Sequence, residues 1–329
     1  MTTNRWTWHG GGLAAARTHF GTGEEDWLDL STGINPHAWS GADTIAIDWR
    51  ALPEEGALRA LEEAAAAHFG CDADHVCAVP GTEVGLRLCG DLFAGPAHHI
   101  APTYRTHGEM MPGSEAVPVE DLDHAHGTTL ILANPNNPDG RLLERRALMD
   151  MLDHRGQEGW LILDEAFADC HPEHGFAAAV ADERKLVIFR SFGKFFGLAG
   201  LRLGFVIAPR PIIARLRGKL GAWPVSAAAL AIGTAAYRDA AWIAAMRRQL
   251  DAEAGELDVL LKERGYTVLG QCPLFRLIAC DRAQPLFEHL ARHAILTRPF
   301  DQHPGWLRIG LPGSHEALFR FITAMPDHA

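Results

Sequence analysis

Four short apolar runs punctuate the middle of the chain: TLILAN over 129–134, GWLILDEAF over 159–167, KLVIFRSF over 185–192 and LRLGFVIA over 201–208. Each is bounded by turn-forming residues, and each predicts a strand buried on both faces. Between the first two lies the helical segment RLLERRALMDMLDHR. A strand, a helix and a second strand in that order make a βαβ unit, so the pattern predicts an α/β fold around a largely parallel sheet. Upstream, PEEGALRALEEAAAAHF over 53–69 opens on Pro and acids, is rich in Ala, Leu and Glu, and predicts a helix that stops at Gly70. A second helix opens within GTEVGLRLCGDLF, 81–93. After Pro209 the pattern changes to long alanine-rich helices up to about Arg264, then to strand-like pieces, TVLG, LFRLIA and WLRIGL, mixed with helices. That change predicts a large domain over 41–208 and a smaller α+β domain over 209–329, with 1–40 as an N-terminal segment packed on the smaller one. No internal repeat or low-complexity linker interrupts the chain.

Composition narrows the partners. The 329 residues and a hydrophobic fraction of 47% supply ample material for a packed core. The formal net charge of -11 disfavours nucleic acid and anionic membranes, which demand clustered positive charge. A small anionic ligand would have to be met by local arginines. The six cysteines are scattered without a CxxC pair, so neither a metal site nor a disulfide framework is expected, and they read as reduced thiols of a cytoplasmic protein. The opening MTTNRWTWHGGG lacks a basic region followed by an apolar run, and no stretch approaches the length of a membrane span.

In an open parallel sheet, ligands sit beyond the carboxyl ends of the strands. TLILAN leads into NPNNPDG with Asn137, GWLIL leads into Asp164, and KLVIFR leads into Ser191 and then Lys194. Singly, each has a plain reading: Asn-Pro starts turns, an Asp caps a helix, and most lysines are solvated. Taken as a set, three neighbouring strands deliver an amide, a carboxylate and an amine to one crevice.

The order and spacing of these residues resemble those of the fold-type I enzymes dependent on pyridoxal phosphate, in the class I and II aminotransferase superfamily, over nearly the whole chain. The resemblance implies a large domain carrying the cofactor, a smaller C-terminal domain and a homodimer with its active site at the subunit interface. It implies that Lys194 attacks the cofactor's aldehyde, an act eased when an amine is partly desolvated beside a cation. Asp164 would hold the ring nitrogen protonated, and Asn137 would bond the ring hydroxyl. The phosphate would be met by the helix start at Gly81, Thr82 and Glu83, with Ser191 and with Arg202, the latter expected to be buried for that purpose. Tyr104, in APTYRTH, stands where the family stacks an aromatic ring on the cofactor. Three positions depart from the family pattern: Leu52-Pro53 stands where Tyr-Pro is common, Gly193 where Ser or Thr precedes the lysine, and Phe167 where a tyrosine closes DEAY.

Two subfamilies compete for the reaction, the histidinol-phosphate aminotransferases and the threonine-phosphate decarboxylases of cobalamin synthesis. HGGG over 9–12 followed by DLSTGINP over 29–36, together with DEAF, is similar to the decarboxylases, which implies substrate contacts from His9 and Asn35. A substrate that is a small phosphorylated amino acid would need two arginine clamps. Arg308 in WLRIGLPG matches the family's carboxylate-binding arginine, and Arg298 in ILTRPF is the second; which of the two anionic groups Arg298 meets stays open. A non-catalytic, cofactor-binding regulatory protein is the remaining alternative, disfavoured by the acidic balance of the chain.

Overall fold

The computed structural model describes residues 5–21 and 26–328. Its contacts divide the chain into two compact units, residues 38–137 with 142–245 and residues 1–37 with 138–141 and 246–329.

The first unit is built on a seven-stranded sheet. Its strands are Val76–Val79 (β1), Ala97–Ile100 (β2), Glu115–Val117 (β3), Thr129–Ala133 (β4), Leu161–Asp164 (β5), Leu186–Ser191 (β6) and Gly204–Ile207 (β7). Their order across the sheet is β1-β7-β6-β5-β4-β2-β3. All neighbours run parallel except β7, which is antiparallel to both β1 and β6. Because β7 runs backwards, its first residues lie at the edge where the other strands end. The strands read from the sequence are buried throughout, with Leu130, Ile131, Ile162, Val187 and Phe189 all at 0% exposure. Three strands were not legible: VCAV of β1 is a four-residue run, AHHI of β2 carries paired histidines, and β3 is a three-residue piece at the sheet's end.

Helix Glu55–Phe69 (α1) ends where expected, at Gly70 with φ +71 and its N–H on the Ala66 carbonyl. That left-handed conformation is easy only for glycine. Helix Thr82–Gly90 (α2) lies directly on the sheet, Gly85 allowing the approach: a Cβ there would sit 3.2 Å from methyls of Val79 and Val206. Leu86 and Cys89 of α2, with Ile212, Ile213 and Leu216 of helix Arg210–Leu220 (α3), cover one core with Ile131, Ile162, Val187 and Phe189. Burial of such side chains is worth about 1.5–3 kcal/mol each, an upper estimate against an extended chain. Helix Ala227–Arg238 (α4) packs along α1. That packing keeps 209–245 with the sheet. The division by contacts therefore falls inside helix Ala240–Glu263 (α5), whereas the change of sequence pattern falls at Pro209.

The second unit holds a four-stranded antiparallel sheet of Thr267–Leu269 (β8), Phe275–Ala279 (β9), Arg298–Pro299 (β10) and Trp306–Gly310 (β11), in the order β10-β11-β9-β8. Helices Ala283–Arg292 and His315–Ala324 accompany it. The N-terminal segment belongs here: Leu28 and Asp29 pair parallel with Ile295 and Leu296, and Trp6, Phe20 and Phe287 form an aromatic cluster with centroids 5.7–6.1 Å apart. All six cysteines are free thiols. Among the described residues, no helix is long and apolar enough to cross a membrane, and no group of His, Cys, Asp or Glu is placed to hold a metal ion.

Candidate active site

The carboxyl edge of the seven-stranded sheet collects the predicted residues of the first unit. Asp164 closes β5, in register with Ala133 of β4 and Phe189 of β6. It is 6% exposed. One carboxylate oxygen, Oδ1, accepts the Ala166 N–H at 3.0 Å, and Oδ2 lies 2.9 Å from His107 Nε2. Ser191 ends β6, and a single helical turn, Phe192–Phe195, carries Lys194. Stacking of Phe192 on Phe196, at 4.5 Å and 11°, fixes that turn from below. Lys194 is half-buried, with Nζ 5.6 Å from the centre of the Phe167 ring. Asn137 is half-buried in the turn that follows β4.

The departure at Gly193 has a steric cause, since a Cβ there would meet the Ala199 Cα at 2.7 Å. No serine or threonine fits. Gly81 is equally constrained: its φ is +92, and a Cβ would lie 2.8 Å from Arg202 Nη2. Across the same gap a Cβ on Gly204 would sit 2.7 Å from the Thr82 N. Two side-chain-free backbones thus approach closely at the N-terminus of α2, where the first helical N–H groups have no intrahelical partner. The reversed strand β7 brings Arg202 there. Arg202 is exposed and donates to the Ala199 carbonyl at 3.2 Å, which corrects the expectation that it is buried. The surrounding glycine-rich turn carries too little side-chain volume to cover it, so the guanidinium keeps its hydration.

The Glu83 carboxylate turns instead to side-chain partners. It accepts from Tyr104 Oη at 3.0 Å, Thr106 Oγ1 at 2.8 Å and Arg87 Nε at 3.0 Å. Burial alone would raise its pKa, but these donors outweigh burial and hold the carboxyl below its ordinary range. What Glu83 offers an anion is its backbone N–H. Burial, with the Glu83 charge beside it, pushes the Tyr104 phenol up to about 12, so it remains a donor. Its ring meets His107 edge-on at 5.7 Å.

In the second unit, Arg298 and Arg308 are cross-strand partners of β10 and β11. Like charges directly opposite one another are unfavourable, and an anion between them relieves the repulsion. Arg308 is 3% exposed, lies over the Phe275 ring at 5.0 Å and donates from Nη2 to the Ser31 carbonyl at 2.8 Å. Burial, and then Arg298, push its pKa well below the ordinary value. Asn35 is buried, and its Oδ1 accepts the His37 N–H at 2.9 Å, closing a turn. His9 is exposed.

The family model described as aminotransferase class I and II matches residues 49–325. This chain belongs to the aminotransferase class I and II family. Within that family, it is 39% identical over 314 residues to a threonine-phosphate decarboxylase of Sinorhizobium sp, covering 92% of each chain. It is 36% identical over 329 residues to a threonine-phosphate decarboxylase of Pseudomonas aeruginosa, covering 96% of each. The fold is that of the histidinol-phosphate aminotransferase from Sinorhizobium meliloti, solved in complex with pyridoxal-5'-phosphate. The two superpose with a TM-score of 0.82 over 96% of this chain and 94% of that one, at 18% identity.

The residues of this aminotransferase-family chain fit the group that its motifs imply. The start of α2 at Gly81, where a Cβ would collide with the Arg202 guanidinium, brings helix N–H groups and an arginine together and suits a phosphate. The buried, doubly bonded Asp164 suits a ring nitrogen, and the half-buried Lys194 amine suits an aldehyde. Sequence reading missed His107, which is fully buried between Asp164 and Thr103 Oγ1, the latter 2.7 Å from Nδ1. Its signal was a histidine one helical turn after Tyr104. Also missed was a buried ionic cluster beneath the site. Arg190 donates to Glu165 Oε2 at 3.1 Å and to Asp169 Oδ1, which in turn lies 2.8 Å from His68 Nε2.

Proposed function

We propose that this family member is a threonine-phosphate decarboxylase, converting L-threonine O-3-phosphate into (R)-1-aminopropan-2-yl phosphate and carbon dioxide in cobalamin biosynthesis. The observation that carries this reading is the identity of 39% and 36%, over more than nine-tenths of the chain, to two proteins of that name. The likeness to an aminotransferase structure at 18% identity speaks to the fold alone.

When bound, pyridoxal phosphate supplies an electron-withdrawing ring that accepts the pair left by a bond breaking at the substrate's Cα. Lys194 would hold its aldehyde through Nζ, and Asp164, steadied by His107, would pair with its ring nitrogen. Asn137 would bond its ring hydroxyl and Tyr104 would pack on its ring. The amides of Gly81, Thr82 and Glu83, with Ser191 and Arg202, would hold its phosphate. Arg298 and Arg308 take the anionic groups of the substrate, helped by His9 and Asn35. In the decarboxylation the Cα–carboxyl bond breaks, carbon dioxide leaves, and Lys194, its Nζ set free when the substrate amine takes its place, would deliver one proton to Cα. Orientation decides which bond at Cα breaks.

We also read the protein as a cytoplasmic homodimer. In the sheet unit Trp49, Leu52 and Trp223 are 77%, 64% and 57% exposed, and such exposed apolar side chains suit a second copy.

The experiment is product analysis. Purified protein loaded with cofactor and given threonine phosphate should release carbon dioxide and the amino alcohol phosphate, and Lys194→Ala should lose activity. Borohydride reduction and peptide mapping should place the cofactor's mass on the peptide holding Lys194. An oxo acid product would favour a histidinol-phosphate aminotransferase-like transamination, and bound cofactor without turnover would favour a regulatory protein.

A further inference from the structure

Within the second unit, one small residue collects hydrogen bonds out of proportion to its size. Ser31 is 2% exposed. Its N–H and its hydroxyl both meet Asp29 Oδ1, at 2.9 and 2.6 Å. Its Oγ also meets the Gly11 N–H at 2.7 Å, and its carbonyl meets Arg308 Nη2 at 2.8 Å. The roles are forced. A backbone N–H only donates and a carboxylate only accepts, so the hydroxyl gives its hydrogen to Asp29 and offers a lone pair to Gly11.

The glycine loop and the guanidinium converge on the same peptide group. A Cβ on Gly10 would lie 2.3 Å from the Ser31 carbonyl oxygen, the atom that accepts from Arg308. The segment has little freedom to adjust. Leu30 is bonded on both sides, its N–H to the Leu296 carbonyl and its carbonyl to the Gly310 N–H, both at 2.7 Å. On the far side a Cβ on Gly310 would meet the Thr32 carbonyl at 2.5 Å. Any shift of Arg308 is therefore felt at Ser31, and through its hydroxyl at Gly11.

We propose that Ser31 is a positioning residue that couples the Gly10–Gly12 loop to the Arg308 guanidinium, so that loop order and anion binding at Arg308 reinforce one another. Its consequence for turnover rests on the reading of Arg308 as a substrate clamp; the coupling itself does not. Ser31 touches no reacting atom. Its loss acts on substrate capture and leaves the bond-breaking step alone.

The test has two arms on the cofactor-loaded protein. Amide exchange at Gly11 is measured in wild type, Ser31→Ala, Arg308→Gln and the double variant. Arg308→Gln should speed Gly11 exchange by roughly tenfold in the wild-type background and add little once Ser31 is alanine. Unchanged Gly11 exchange in Arg308→Gln, or additive effects in the double variant, would overturn the coupling. In the kinetic arm Ser31→Ala should raise KM for threonine phosphate roughly 5- to 50-fold with kcat nearly kept, and Ser31→Thr, which retains the hydroxyl, should recover most of it. A fall in kcat at unchanged KM contradicts the positioning role. Should Ser31→Ala not fold, Gly10→Ala, which pushes on the same carbonyl, should show the same KM rise and faster Gly11 exchange. Wild-type protein that does not turn over threonine phosphate would sink the proposed function alone and leave the exchange arm to decide the coupling.

Discussion

Replacing Arg190 by methionine removes a charge from the most enclosed ionic cluster of the sheet unit. Arg190 is 4% exposed, and its partners Glu165 and Asp169 are 0% and 1% exposed. Its guanidinium also lies over the Phe69 ring at 4.5 Å. Methionine keeps much of the volume but strands two carboxylates, which costs about 3–5 kcal/mol for a buried pair broken on one side. For a chain of this size each kcal/mol moves Tm by about 2 °C, so the variant should melt about 6–10 °C below wild type near pH 7. The sign with pH follows from the same charges. Burial opposes ionisation of Asp169, yet the Arg190 charge and the His68 hydrogen bond outweigh it and hold its carboxyl far below the ordinary range. Without Arg190 the stranded carboxylates favour the protonated form, so the deficit should be largest at neutral pH and shrink as the pH falls toward about 4. Adding Asp169→Asn to the variant should restore part of the loss. Differential scanning calorimetry at pH 7 and pH 4.5 measures all three proteins. A variant melting within about 1 °C of wild type at pH 7, or a deficit that grows on acidification, would refute the electrostatic account. Glu165 adjoins Asp164, and Arg190 precedes the lysine turn in the same strand, so cofactor retention should weaken as well.

Gly81→Ala imposes a Cβ at φ +92 and 2.8 Å from Arg202 Nη2; apoprotein titrated with pyridoxal phosphate should bind at least about tenfold more weakly, and unchanged affinity would remove Gly81 from the phosphate site. His107→Phe deletes the 2.9 Å contact to Asp164 Oδ2, an effect of about 1–3 kcal/mol, so cofactor affinity should fall roughly 5- to 100-fold; equal affinity and an equal absorption spectrum would show that Asp164 does not need it. Asp169→Asn, alone, should cost stability above about pH 4, where the depressed carboxyl of wild type contributes. The gap should begin to narrow as the pH falls below about 4, so denaturant titrations should read a smaller gap at pH 3 than at pH 7.

The parts of the site that read well from the sequence are those where local order and chemistry coincide. Asp164 and Lys194 each follow an apolar run, so the end of a buried strand announced them. Arg308 alternates with apolar neighbours in WLRIG and is buried on its strand. His107 and the Arg190 cluster were illegible because their meaning lies in partners far along the chain: His107 meets Asp164, and His68 meets Asp169. The burial expected of Arg202 was a misreading, since a glycine-rich turn implies close backbone approach but says nothing of how much protein covers it.

Periodicity and turn residues determined which segments become strands and helices, because burial on one or both faces imposes its spacing on the sequence itself. Motif spacing likewise determined the family, and with it the candidate lysine, carboxylate and arginines. Only the tertiary structure decided that β7 runs backwards to carry Arg202 to the helix start, that Arg298 and Arg308 face each other in register, and that Ser31 ties a glycine loop to a guanidinium. These are contacts between residues remote in sequence. No local preference encodes them, and they exist only once the packed backbone has fixed every partner's position.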